Sequence, residues 1–410
     1  MSLDVVNLLS DLVRIPSVNP MGRSVSGDIY YEHRMTAHLE SLFRGLGLPV
    51  ERHTVAPLRD NIVTRVEGDV PPERGGRIVM LEAHQDTVPI DGMTIEPFTP
   101  TIKDGKLYGR GSCDIKGGMA AMIAALARLA KEKPAGRPTV VMACTINEEH
   151  GFTGATHWAA TYYGRPPASG RGPEVAPPAG RSQLLTRVPD VAIVAEPTQL
   201  NVVVAHKGAV RWRCMTGGVA THSSQPHLGD NAIYRMARVL LVLEEYARDV
   251  VPTLFTHRLC GHPTLSVGTI SGGISVNTVP DRCTIEIDRR VVPGENPQEV
   301  LDHCLDYLQA RLPPGTPITH EAPYMMTSGL PDDGNAGLAE QLAGVICHHG
   351  GPGRQIGVPF GTDAPHFAAT GCPTVVFGPG SIDQAHTADE WLEIAQLKTA
   401  AEILFDFIKT

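Results

Sequence analysis

An α/β layered sheet with a smaller α+β unit inserted into it is the fold class that this sequence predicts. Three observations carry the prediction. Short β-branched apolar runs alternate with helical patterns over the first two hundred residues, the alternation changes character after EPT (196–198), and the earlier character returns near residue 326. The runs RIVMLEAHQD (77–86), TVVMACTI (139–146) and VAIVAE (191–196) have the length and Val/Ile content of buried strands. GGMAAMIAALARLAKE (117–132) reads as a helix whose small residues allow close packing. The stretch 164–180 holds nine Gly or Pro in 17 residues and reads as an exposed loop.

The middle of the chain runs through AVRWRCMT, a helix in NAIYRMARVLLVLEEYA, TLSVGTI, CTIEIDRRVV, a helix near PQEVLDHCLDYLQARL, and ITHEAPY. That order, β, α, β, β, α, β, is the order of a ferredoxin-like α+β sandwich. A helix GLAEQLAGVICHH, a strand PTVVFG and a closing helix LKTAAEILFDFI then complete the first unit. The expected limits are 1–206 and 326–410 for the interrupted α/β domain and 207–325 for the insert.

Composition narrows the function classes. A chain of 410 residues exceeds what one hydrophobic core usually serves. With 35 Lys+Arg against 44 Asp+Glu the net charge is −9, which argues against a nucleic-acid or anionic-membrane partner. No apolar run reaches the roughly 18 residues of a membrane span. The start, MSLDVVNLLSDLVRIPS, carries acids and helical periodicity where an export signal has a basic region and a cleavage site. Eight scattered Cys without a CxxC pair fit reduced thiols, so a cytoplasmic location is expected. Seventeen His in an acidic chain are a reason to look for a metal.

Phosphate loops, serine-hydrolase elbows and HExxH helices are without support, since GxxxxGK[ST], GxSxG and HExxH do not occur, nor does GxGxxG after a strand. Acids and histidines do gather at the ends of expected strands, where an open α/β sheet binds ligands. His84 and Asp86 stand two apart, so their side chains can share a face, and such an Asp can fix the tautomer of a metal-bound His. By itself HxD reads as a structural pair, since unligated His is common at strand ends. Asp114 in GRGSCDIKGG precedes a helix and alone would read as an N-cap. Glu148 and Glu149 follow the apolar run VVMACTI; beside cations one can ligate while the other serves as base. Glu196 closes another buried run, a costly place for a carboxylate that is neither paired nor metal-bound. His386 lies in GPGSIDQAHTADEW after an expected strand, and alone carries no signal.

Taken together these segments resemble the co-catalytic zinc amidohydrolases and peptidases, a family that includes acetylornithine deacetylase, succinyl-diaminopimelate desuccinylase, aminoacylase and carboxypeptidase G. The resemblance runs in order through AHQDTVP, DGKLYGRGSCDIKGG, NEEHGFTGA, AEPT, HKG, THSSQPHLGDNAI, NTVPDRC and GPGSIDQAH. It implies a zinc-peptidase-like catalytic domain, a mixed sheet flanked by helices, with the insert as a lid and dimerisation domain in a homodimer. It implies two Zn²⁺ per subunit, with Co²⁺ a possible substitute: His84 and Glu196 on one, Glu149 and His386 on the other, and Asp114 bridging both. Asp86 would orient His84, Glu148 would be the general base, and His222 in THSSQP would reach across a dimer interface to the oxyanion. Asn277 and Arg289 would hold the substrate carboxylate, while Gly361 and Thr362 would line its pocket. The family often shows a cis peptide after the bridging Asp. This chain has Asn147 where the family frequently has Asp.

The loops around Asp114, His222 and His386 look most like acetylornithine deacetylase. The resemblance therefore implies hydrolysis of an N-acyl amino acid, with N-acetylornithine the leading small-molecule substrate and arginine biosynthesis the corresponding pathway. A succinyl-diaminopimelate desuccinylase, or another N-acyl-amino-acid deacylase or dipeptidase, is the alternative. A zinc-binding protein that has lost catalysis is the reading from another class; it could keep the ligands yet dispense with Glu148, which this chain retains.

Overall fold

The computed structural model describes residues 3–163 and 182–410, so the Gly/Pro-rich segment 164–180 lies outside the described residues. The chain opens with α1 (Val5–Val13) and α2 (His33–Gly45). Asp4 caps α1 by accepting from the main-chain N–H groups of Val6 at 3.0 Å and Asn7 at 2.8 Å, two donors that the first turn leaves free. There follow β1 (Val50–Ala56), β2 (Arg59–Val66), β3 (Ile78–His84), the short β4 (Thr101–Lys103) and β5 (Lys106–Tyr108), α3 (Lys116–Glu132), β6 (Thr139–Thr145), α4 (Thr153–Tyr163), β7 (Val191–Val194) and β8 (Val202–His206). The insert contributes β9 (Gly208–Gly217), β10 (Thr221–His222), α5 (Ala232–Glu245), α6 (Val251–Leu254), β11 (Thr264–Gly272), β12 (Thr278–Val279), β13 (Arg282–Val291), α7 (Pro297–Arg311), β14 (Ile318–His320) and β15 (Met325–Thr327). The chain closes with α8 (Ala336–His348), β16 (Gln355–Val358), α9 (Ala364–Ala368), β17 (Thr374–Val376), β18 (Trp391–Glu393) and α10 (Ile394–Ile408).

The large sheet has the order β1-β2-β6-β3-β7-β17-β8-β16. It is mixed: β3 runs parallel to β6 and β7, while β2 pairs antiparallel with β6. Every residue of β3 is buried, because helices cover both faces of the sheet. The pleat divides them: Val79, Leu81 and Ala83 join the core under α1, α3 and α10, while Ile78 and Met80 join the core under α4 and α9. This double cover is why the sequence reads as continuous apolar runs.

In the insert, β11-β13-β9-β14 form an antiparallel sheet, and β15 also pairs with β9. The βαββαβ order is the one expected. Strands β9 and β13 alternate buried and half-buried positions. Val210, Trp212 and Cys214 pack with Ile285 and Ile287 against α5 and α7. The opposite face is charged, with Arg211 facing Asp288 and Arg213 facing Glu286 across the strands, each at 2.7 Å. A two-stranded ribbon of β10 and β12 and a three-stranded sheet β18-β5-β4 complete the described architecture. Among the described residues no helix is long and apolar enough to cross a membrane.

Candidate active site and metal centre

Adjacent parallel strands bring the candidate ligands together. His84 ends β3 opposite Thr145, which ends β6, so the segments carrying Asp86 and Glu148–Glu149 leave the sheet side by side. Glu196 follows β7, the other neighbour of β3, two residues beyond its last residue Val194. Asp114 precedes α3, and the Asp114–Ile115 peptide is cis. A Cβ on Gly117 would lie 2.6 Å from the Ser112 carbonyl oxygen and 2.4 Å from Leu392, so only glycine lets the first turn of α3 sit this close to the Asp114 loop. His386 arrives from the loop between β17 and β18 with φ +61°.

Asp114 stands between two histidines. Its Oδ1 is 3.2 Å from His84 Nε2, and its Oδ2 is 3.4 Å from His386 Nε2. Glu196 Oε1 lies 3.9 Å from His84 Nε2, and Glu149 Oε2 lies 3.2 Å from His386 Nε2. Two overlapping groups, His84–Glu148–Glu196 and His84–Asp114–Glu149, bring ligand atoms within 4.8 Å of one another.

The donors fit a pair of divalent ions. Two ligand atoms at about 2.1 Å from one tetrahedral ion lie about 3.4 Å apart, close to the N···O separations on both sides of Asp114. Glu149 Oε1 is buried with no hydrogen-bond partner among the described residues, a costly state for a carboxylate unless a cation faces it. The electrostatics agree. Burial, and then neighbouring carboxylates, push Glu148, Glu149 and Glu196 above the usual carboxylate range. Burial would lower the imidazole of His386, but Glu149 and Asp114 outweigh it and raise it to about 11. Burial opposes ionisation of Asp114 too, yet hydrogen bonds from His386 and His84 hold it well below the usual range. Without a cation, this cluster must hold protons.

Asp86 is buried at the hub of a supporting network. It accepts from Asn19 Nδ2 at 2.7 Å and from the N–H groups of Glu148 and Glu149 at 3.1 and 3.2 Å. Towards His84 its nearer atom is the main-chain carbonyl, 3.0 Å from Nδ1, with the carboxylate at 3.6 Å. Asn147 accepts from Asn19 at 2.9 Å and donates its main-chain N–H to Glu32 at 3.2 Å. An Asp in its place would add a further buried carboxylate beside Asp86 and Glu32, which explains how the amide is suited to this site.

One cavity opens onto the cluster, and the remaining candidates divide around it. Gly361 lines it together with Phe152, Met325 and Phe360. Arg289 does not. Its side chain is 0% exposed, and it pairs with Glu295 at 2.7 Å inside the insert. The neighbouring Arg290, 29% exposed, faces the cavity with Arg211, and Asp288 holds both guanidiniums, at 2.8 and 2.7 Å. The residue expected to hold the substrate carboxylate, Arg289, is therefore turned into the insert, and Arg290, one residue on, takes the opposite face of the strand. The alternation of Cys283, Ile285, Ile287, Arg289 and Val291 against Thr284, Glu286, Asp288 and Arg290 is the signal that finds it. Thr362 is also turned inward. Its hydroxyl donates to His206 Nε2 at 2.9 Å and accepts from Ala364 N–H at 3.0 Å. Burial keeps that imidazole neutral, down at about 4, as an acceptor must be. Asn277 and His222 do not line the cavity. They sit exposed at the β10–β12 ribbon, where Ser223 N–H donates to the Asn277 carbonyl at 3.0 Å and His222 Nδ1 contacts Ser224 Oγ at 2.8 Å.

Comparison with known proteins bears on these residues. Residues 80–410 match Peptidase family M20/M25/M40. Acetylornithine deacetylase of Pectobacterium carotovorum is 31% identical over 98% of this chain and 96% of its own length. A tripeptidase from Staphylococcus aureus superposes with TM-score 0.72 at 20% identity, covering 99% of this chain and 97% of its own. A Bacillus subtilis protein described as a dinuclear metal-binding peptidase superposes with TM-score 0.60 at 15% identity, over 98% and 96% of the two chains. With most of its length matched and its acids and histidines gathered at the sheet's carboxyl edge, this chain belongs to the M20/M25/M40 peptidase family and is a metal-dependent amidohydrolase.

Proposed function

We propose that the chain hydrolyses the amide bond of an N-acyl amino acid, with two zinc ions held by His84 and Glu196, by Glu149 and His386, and by Asp114 between them. The observation that carries the reading is the Asp114 carboxylate, which offers a different oxygen to each of two histidines. The oxygen and imidazole donors suit Zn²⁺ and would also accept Co²⁺ or Mn²⁺. Divalent ions, when bound, supply Lewis acidity towards the scissile carbonyl and towards water. The chain's own residues do the rest. Glu148, buried beside the cluster, takes the proton of the attacking water and returns it to the leaving nitrogen. Its main-chain anchor to Asp86 fixes its place without engaging its carboxylate. Arg290 and Arg211 face the cluster across the cavity and hold the substrate carboxylate. Retention of Glu148 favours an enzyme over a zinc-binding protein without activity.

The 31%-identical relative makes N-acetylornithine the first substrate to assay. A second reading, an acylase for neutral amino acids, is favoured by the cavity wall. Among the described residues lining it, the acids are Asp114, Glu148, Glu149 and Glu196, all at the cluster, while Phe152, Met325 and Phe360 offer an apolar surface. A panel of N-acyl amino acids, succinyl-diaminopimelate and dipeptides, assayed with added zinc, tests both readings. N-acyl amino acids should give the highest kcat/KM. A far higher value for succinyl-diaminopimelate or a dipeptide would overturn the substrate class.

The proposal extends to a homodimer. The insert exposes Leu228, Tyr234, Leu241, Ile270, Ile274 and Val276, and among the described residues β11 pairs on one side only, with β13. His222 lies on this same insert, exposed, as a residue serving a partner's site must be. The eight cysteines are free, and seven of them are buried, which supports a reducing, cytoplasmic compartment.

A further inference from the structure

The loops that bring Asp114 and His386 together leave the same end of the small sheet. Strand β5 pairs antiparallel with β18, Tyr108 opposite Trp391, so the chain leaving β5 towards Asp114 starts beside the chain entering β18 from His386. At that junction stands Glu390, which is 0% exposed. Its Oε2 accepts from Arg110 Nη1 at 2.7 Å and from Gly111 N–H at 2.9 Å; its Oε1 accepts from Cys113 N–H at 2.9 Å and Asp114 N–H at 3.0 Å. Its main-chain carbonyl accepts from Gly109 N–H at 3.0 Å. Arg110, equally buried, donates back across the junction from Nη2 to the Thr387 carbonyl at 3.4 Å, next to His386. Among the described residues no comparable tie to Glu390 reaches His84 or Glu196, which hang from β3 and β7 of the large sheet.

We propose that Glu390, clamped to Arg110 and to the N–H groups of the Asp114 loop, is a positioning residue that sets the Asp114–His386 spacing and so governs the metal position of His386 more strongly than that of His84. A buried carboxylate that accepts four N–H donors has no rotameric freedom left, so it fixes the loop it grips. Asp114 and His386, two ligands of the position they share with Glu149, both hang from this clamp, whereas the other position meets it through Asp114 alone. The position of His84 and Glu196 keeps its own supports, namely the end of β3 and the Asp86 carbonyl. The inference rests on the dinuclear reading above.

The test is zinc titration of the metal-free full chain by calorimetry, with elemental analysis of the loaded protein, for the parent, Glu390→Gln, His386→Ala and the double variant. Thermal unfolding of each metal-free protein is the control. The parent should bind two ions; a parent that binds only one would end the dinuclear reading and leave the clamp without a second position to govern. Glu390→Gln should weaken one ion by about 10- to 100-fold and weaken the other distinctly less. In the His386→Ala background the same change should weaken the remaining ion less than it weakens the more sensitive ion of the parent. Equal weakening of both ions, or parental affinity for both, would overturn the proposal. Should Glu390→Gln fail to fold, Arg110→Lys keeps a cation beside Glu390 and removes the tie to Thr387; it should weaken the same ion more than the other, and parental binding of both would count against the clamp.

Discussion

Arg289 and Arg290 are adjacent in sequence and opposite in setting, so replacing each in turn with Met separates binding from stability. Arg290 faces the cavity and shares Asp288 with Arg211 in a half-exposed triad. If it holds the substrate carboxylate as proposed, its loss removes charge-assisted hydrogen bonds worth about 1.5–3 kcal/mol. That is roughly a 10- to 150-fold fall in kcat/KM for an N-acyl amino acid. Asp288 keeps Arg211, and exposed pairs contribute little, so stability should change by about 1 kcal/mol or less. Arg289 is buried against Glu295, which would be left in the interior with, among the described residues, the Val292 N–H as its remaining donor, at 2.9 Å. Breaking such a pair costs about 3–5 kcal/mol of stability. Activity per folded molecule should stay near that of the parent, because Arg289 does not line the cavity. Steady-state kinetics and denaturant unfolding of both variants read the two effects apart. An Arg289→Met enzyme with parental stability and a large loss in kcat/KM, or a silent Arg290→Met, would refute the register.

Two further outcomes follow from the site and the insert. Burial and crowding raise Glu148, Glu149 and Glu196, and His386 stands at about 11, so at neutral pH the metal-free cluster holds protons that an entering ion must expel. Zinc affinity should therefore rise with pH, and calorimetry in two buffers of different ionisation enthalpy should show proton release; identical heats with pH-independent affinity would contradict the cluster's electrostatics. Replacing Ile274 and Val276 with Asp should turn a dimer into a monomer in sedimentation and abolish turnover if His222 acts across the interface. A parental chain that sediments as an active monomer would remove that role.

Much of the fold was legible because both sheet faces are covered. The runs at 77–86 and 139–146 contain β3 and β6, and 117–132 is α3 short of its first residue. The acids were legible for the same reason, since carboxylates seldom end so apolar a run without a purpose. Other features depend on pairing that composition does not carry. Two consecutive arginines look alike in a motif, and it takes the alternation along β13 to put Arg289 on the face of Ile285 and Ile287. Thr362 sits beside a pocket glycine, yet its hydroxyl is taken by His206, a partner far away in sequence. Glu390 read as one acid in TADEW, because its four donors belong to a loop that only the β5–β18 pairing brings near.

The central claim is that Glu148 moves the proton while the other acids and histidines hold the metal. Turnover of the Glu148→Gln enzyme, measured together with its zinc content, tests it most directly. The account predicts full metal content and a fall in kcat of about 10²- to 10⁴-fold, the usual span for a lost general base. Turnover within about tenfold of the parent at full zinc content would contradict it, since that is less than a general base ordinarily contributes.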